Sequence, residues 1–134
     1  MGITYHLDRG VRVLLIAVTG EVGDEVALRD IPKIWEEHPE VLGFGTLVDL
    51  TKDAGSISWS AVKNIAQRWQ RFADGRDAGR RTAIVVRDDV WARYARAIST
   101  LFPGRHVLVF RNLLSASEWL ASRSGSNEGS PARA

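Results

Sequence analysis

The feature that most constrains this chain is a repeated alternation between two apolar patterns. Short runs that are apolar at nearly every position are separated by longer stretches in which apolar residues recur at helical spacing. Residues 11–19 form the first run, dense enough for a strand covered on both faces. Ahead of it, Ile3, Tyr5 and Leu7 alternate with Thr4 and His6 as in a one-sided strand. Asp8-Arg9-Gly10 is a turn signal between the two, so they read as a hairpin. Three helix–strand pairs and a last helix follow. Strands joined through helices run parallel with right-handed crossovers. The predicted order is β-β-α-β-α-β-α-β-α: an α/β fold with a mixed five-stranded sheet and four helices.

Local signals set the expected boundaries. Asp24 can cap a first helix with the stripe Ala27, Leu28, Ile31, Ile34 and Trp35. Pro32 lacks an amide donor inside that stripe and predicts a kink or a restart, and His38-Pro39 ends the helix. The third strand is expected over residues 43–50, with Gly43 and Gly45 around Phe44, and a loop over residues 51–57. Ser58 caps a second helix, with Ile57 stapled to Val62 and the stripe Val62, Ile65, Ala66, Trp69, Phe72 and Ala73. Gly75 lies just past its end. The fourth strand falls within residues 80–87. Asp88 or Asp89 caps a third helix with Val90, Tyr94, Ala97, Ile98 and Leu101 inward, stopped by Pro103-Gly104. The fifth strand is residues 106–110. Two caps compete for the last helix, Asn112 and the capping box Ser115…Glu118. Residues 123–134 hold no large apolar side chain and are expected to be a disordered tail behind one domain over residues 1–122.

Composition then narrows the chemistry. With 134 residues the chain can bury a core unaided, and with no cysteine it has no disulfide, thiolate ligand or cysteine nucleophile. No apolar run approaches the roughly 20 residues of a membrane helix, and the polar start does not resemble a signal peptide, so a cytoplasmic location is expected. The three histidines, His6, His38 and His106, have no second ligand at metal spacing, so no metal is expected. Nucleophile-elbow, zinc-protease and phosphate-loop motifs are absent, and Gly20…Gly23 is too sparse for a dinucleotide fingerprint. The carboxylate pairs Glu36-Glu37 and Asp88-Asp89 are sequence neighbours, which do not share a helix face. No catalytic residue and no cofactor is expected, so the chain does not read as an enzyme.

Charge is divided along the chain. Residues 1–62 carry 5 basic and 10 acidic groups, whereas residues 63–111 carry 11 basic and 4 acidic groups. The arginines of the second segment lie on the second and third helices and the loop between. Its aromatics, Trp69 and Phe72, fall on the apolar stripe instead, so the pattern for nucleic acid is missing and a solvated face or an acidic partner explains the charges better. Of the five tryptophans, Trp35, Trp69 and Trp119 sit on apolar stripes. Trp59 and Trp91 instead open helices that follow parallel strands, at the edge where open sheets bind ligands. That edge also holds Asp49, Thr51, Lys52, Asp53 and Arg93. A phosphate on Ser58 or Ser60 would meet a positive helix end there.

The element order and several motifs resemble the STAS domain, the SpoIIAA-like fold of bacterial anti-sigma-factor antagonists. The matching pieces are Val18-Thr-Gly-Glu-Val22, Leu47-Val-Asp-Leu50, Val109-Phe-Arg-Asn-Leu113 and Glu118-Trp-Leu120. The helix end Glu36-Glu-His-Pro39 leading into Val48-Asp-Leu50 is closer still to stand-alone, uncharacterised SpoIIAA-like proteins. The family carries an Asp-Ser-Ser-Gly type motif where the partner kinase phosphorylates a serine. Here the stretch reads Ser56-Ile-Ser-Trp-Ser-Ala61, with Ser58 near the matching place but without the preceding Asp, the serine pair or the glycine. The resemblance implies a regulatory protein-interaction module, with a kinase-type anti-sigma factor as one implied partner and Ser58 or Ser60 as the switch. The alternative is a carrier of an apolar, lipid-like ligand, or a protein that lies on an anionic membrane surface through Trp59, Trp91, Arg93 and Arg96. Sheets of this kind often pair, so a homodimer is a further expectation.

Overall fold

The computed structural model describes residues 2–122. The tail expected over residues 123–134 lies outside the described residues. The predicted strands and helices appear in the predicted order: β1 (Gly2–Asp8), β2 (Val13–Gly20), α1 (Asp24–Glu37), β3 (Gly45–Asp53), α2 (Trp59–Ala73), β4 (Arg81–Val85), α3 (Asp89–Ser99), β5 (His106–Phe110) and α4 (Leu113–Ala121). A 3-10 turn, Pro39–Gly43, joins α1 to β3.

The sheet order is β1-β2-β3-β4-β5, with β1 antiparallel to β2 and the other pairings parallel. Each right-handed crossover therefore steps the chain one strand in the same direction, which places α1, α2 and α3 on one face. Strand alternation feeds two cores. Leu14, Ile16, Val18, Leu50, Ile84 and Val86 pack with side chains of α1, α2 and α3. Val13, Leu47, Ala83 and Val85 point the other way and pack with Ala116, Trp119 and Leu120 of α4. One face thus receives three helices and the other receives one.

Several local expectations need correction. Asp24 does not cap α1. Gly23 holds the cap position without a side-chain bond, and the Asp24 carboxylate serves another element. Pro32 causes no restart, and α1 runs unbroken through it. The carbonyl that a residue-32 amide would have bonded belongs to Leu28, and it accepts instead from Arg68 Nη1 of α2 at 3.0 Å. β3 extends through Thr51–Lys52–Asp53, where a loop was expected, because these residues continue to pair with the end of β2. The apolar phase of α3 is also shifted. Val90 is 75% exposed, while Trp91, Ala92, Ala95 and Ile98 face the core. Small alanines let α3 approach the sheet, so the larger Val90 does not mark the buried side.

Caps elsewhere follow the sequence. Ser58 Oγ accepts from Ala61 N at 3.1 Å, and Asp88 Oδ1 accepts from Trp91 N at 3.0 Å. Asn112 prevails over the capping box for α4, its Oδ1 accepting from Ser115 N at 2.8 Å. Asp74 ends α2 in the left-handed region, and Gly75 follows with φ of 79°.

Candidate ligand cavity

On the three-helix face, α1 packs against α2 and α3 packs against β5. Two contacts bridge the seam between α2 and α3. At one end the Trp59 and Tyr94 rings meet edge-on, with centroids 6.1 Å apart. At the other, Gln70 Nε2 donates to the carbonyl of Leu101, just past the end of α3, at 2.6 Å. Beneath the seam lies a cavity of about 190 Å³. Its floor is Ile16, Val48, Leu50, Ile84 and Val107 of the sheet, and its walls include Ile65 and Trp69 of α2 and Ile98 of α3. Interiors rarely leave voids beyond the size of a water molecule. Space of this size that the side chains leave unfilled, partly open at its rim, is room for a ligand.

Polar groups enter the cavity at its two ends. At the start of the parallel strands is Arg105, with only 5% of its side chain exposed. It pairs with Asp77 Oδ2 at 3.4 Å and donates to Thr82 Oγ1 at 2.7 Å. Longer bonds reach Phe44 O, Thr46 Oγ1 and Arg81 O. Asp77 Oδ2 also accepts from Trp69 Nε1 at 2.7 Å. Burial pulls the Arg105 pKa below its ordinary value, against the opposing pull of Asp77. This end of the cavity is saturated by its own protein partners.

The other end is different. Asp53 lines the cavity and is 4% exposed. Its Oδ1 accepts from Gly55 N at 3.0 Å, and its Oδ2 accepts no hydrogen bond from the described residues. A register irregularity puts it there. From Ala17 to Thr19 in β2, the partner strand runs from Asp49 to Lys52, one residue more. That extra residue inverts the alternation beyond Leu50. Asp53 is consequently buried at the cavity and Lys52 is exposed. Tyr94 lines the cavity beside it, and burial raises its phenol pKa, helped by the charges of Asp53 and Asp24.

Asp24 belongs to the same rim. Its carboxylate accepts from Ser58 N and from Ser58 Oγ, both at 2.7 Å. Those two bonds hold its pKa below the ordinary carboxylate value. The starts of α1 and α2 are thereby clasped together. Trp91 packs edge-on against Tyr94, with centroids 5.6 Å apart, and the Arg87 guanidinium lies over the Trp91 ring, 4.6 Å from its centroid.

Of the sequence-derived edge residues, Asp53, Trp59 and Trp91 gather around Tyr94. Asp49 instead accepts from Thr51 N and Thr51 Oγ1, while Lys52 and Arg93 face solvent. Ser58 and Ser60 are exposed. Sequence reasoning placed Tyr94 in the core, read Asp24 as a cap and passed over Arg105. No local pattern marks a side chain whose role depends on a distant partner. Among the described residues, no cluster of three or more His, Asp or Glu could hold a metal ion, and no helix is long and apolar enough to cross a membrane.

Sheet order, the three-to-one division of helices and the opening hairpin define an α/β module of SpoIIAA-like fold. Among solved structures, the chain is similar to an uncharacterised protein of the DUF3478 family with a SpoIIAA-like fold from Shewanella loihica PV-4. The TM-score is 0.67 at 20% identity, over 89% of this chain and 94% of that one. The expected SpoIIAA-like architecture is therefore borne out. No protein-family model matches the chain, and no curated protein matches it.

Proposed function

We propose that this chain is a non-enzymatic module that binds a small apolar molecule between its sheet and the α2–α3 seam. The observation that carries this reading is the 190 Å³ cavity, whose walls are apolar except at two ends. An apolar cavity of about 150 Å³ suffices to bind benzene. The space here fits a single ring or a short alkyl chain, so the lipid-like ligand of the sequence reading becomes a smaller molecule. Trp35 and Trp69 line the cavity and supply the signal. Toluene is expected to change their fluorescence saturably. In Val62→Phe, which fills space under the seam, the saturable change is expected to disappear. An unaltered toluene response in that variant would place binding elsewhere.

The interaction-module reading is supported by a second observation, the Ser58–Asp24 clasp at an exposed edge beside Trp59, itself 38% exposed. A phosphate on Ser58 would remove the hydroxyl proton that Asp24 accepts and set two anions against each other. Such a switch would open the rim rather than tighten it. Intact-mass analysis of the protein from its own cells tests this reading. Absence of phosphate at both Ser58 and Ser60 under all growth conditions would argue against it.

A further inference from the structure

Resting on the cavity reading above, we infer that the ligand is an amine: a short alkyl- or arylalkyl-amine with its apolar body in the cavity and its ammonium group against Asp53. Three observations converge on this class. The Asp53 side chain lines the cavity, is more than nine-tenths buried, and has one oxygen that accepts nothing from the described residues. That oxygen keeps some accessible surface, so it is open to a donor, and an ammonium group on the ligand would give it a charge-assisted hydrogen bond. Tyr94 adds a hydroxyl that makes no hydrogen bond within the described residues, at the same end of the cavity. The Asp24 carboxylate lies near enough to act electrostatically on that phenol, so the field at this end is negative.

The neighbouring cation does not reverse that sign for a ligand. Arg87 donates to the backbone oxygens of Asp53 and Thr51 and stacks on Trp91. At the far end Arg105 is occupied by Asp77, two threonine hydroxyls and backbone carbonyls, so it offers no ready site for a ligand carboxylate. A cationic head therefore finds a partner at one end, and an anionic head finds none at either. Volume sets the size. Scaled from benzene in about 150 Å³, the cavity holds about eight heavy atoms, the body of an eight-carbon chain whose head group sits at the rim.

Three eight-carbon probes separate head group from body: octylamine, 1-octanol and octanoate, titrated at neutral pH into the native chain and followed by tryptophan fluorescence and calorimetry. Octylamine is expected to bind at least about tenfold more tightly than octanoate, with 1-octanol between them. In Asp53→Asn the gap between amine and carboxylate is expected to shrink to about threefold or less. Tyr94→Phe keeps the ring and is expected to weaken octylamine by about threefold. If octanoate binds the native chain as tightly as octylamine, the head-group inference falls and the cavity reading stands. If none of the three probes binds and toluene does not either, both fall. The decisive comparison uses the native chain, so it holds even if Asp53→Asn fails to fold.

Discussion

Single residues at the two ends of the cavity carry opposite duties. Arg105 is structural: its guanidinium ties Asp77, Thr82 and the Trp69 indole together beneath the start of the sheet. Removing one partner of a buried pair leaves an uncompensated charge, so Arg105→Met is expected to cost about 3–5 kcal/mol in denaturant unfolding. Ser58 is a cap and half of a clasp. Ser58→Ala removes both bonds of its hydroxyl and is expected to cost about 1–2 kcal/mol by the same measurement. The clasp has a definite pH sign. The folded pKa of Asp24 is depressed, so its contribution is present above the unfolded carboxyl value and is lost as pH falls through the folded one. Tyr94 moves the other way. In a Tyr5→Phe background its ultraviolet titration is expected to lie above the usual tyrosine value. In Asp53→Asn it should return only part of the way, because burial is the larger cause. Ser58 and the edge tryptophans were visible in the sequence, since a cap and a helix start are local signals. Asp24, Tyr94 and Arg105 were not, because their partners lie on other elements.

At the scale of elements, α2 supplies a bond that α1 cannot make for itself. The Leu28 carbonyl, left without an amide donor by Pro32, takes its donor from Arg68. This coupling is measurable. Arg68→Met is expected to cost about 1 kcal/mol in the native background and markedly less when Pro32→Ala restores an amide to α1. Equal costs in the two backgrounds would mean that the Arg68 bond does not compensate for the proline. The same scale explains the misread phase of α3. Its buried alanines set the approach to the sheet, whereas the valine that dominated the apolar pattern overhangs into solvent. The extra residue of β3 is the third such feature. A one-residue change in register exchanges the two faces, and here it decides that an aspartate rather than a lysine meets the cavity.

Across the whole molecule, the order of strands governs where the cavity forms. Three crossovers in one direction place three helices over a five-stranded sheet, while α4 alone packs with the core on the opposite face. The space under the α2–α3 seam remains unfilled at a cost to packing. Val62→Phe is therefore expected to raise stability by about 0.5–2 kcal/mol while removing ligand response, as cavity-filling substitutions at functional sites commonly do. The two effects are read from one pair of melts, with and without octylamine. The sequence by itself determined the number, type and order of the elements, because strand and helix periods and their caps are set by neighbours within a few residues. It also determined the absence of cysteine chemistry. Only the tertiary structure decided which helices share a face, that an extra residue turns Asp53 inward, and that Asp24 and Tyr94 join it at one rim. Those outcomes depend on long-range packing and register, in which each group's partner is remote along the chain.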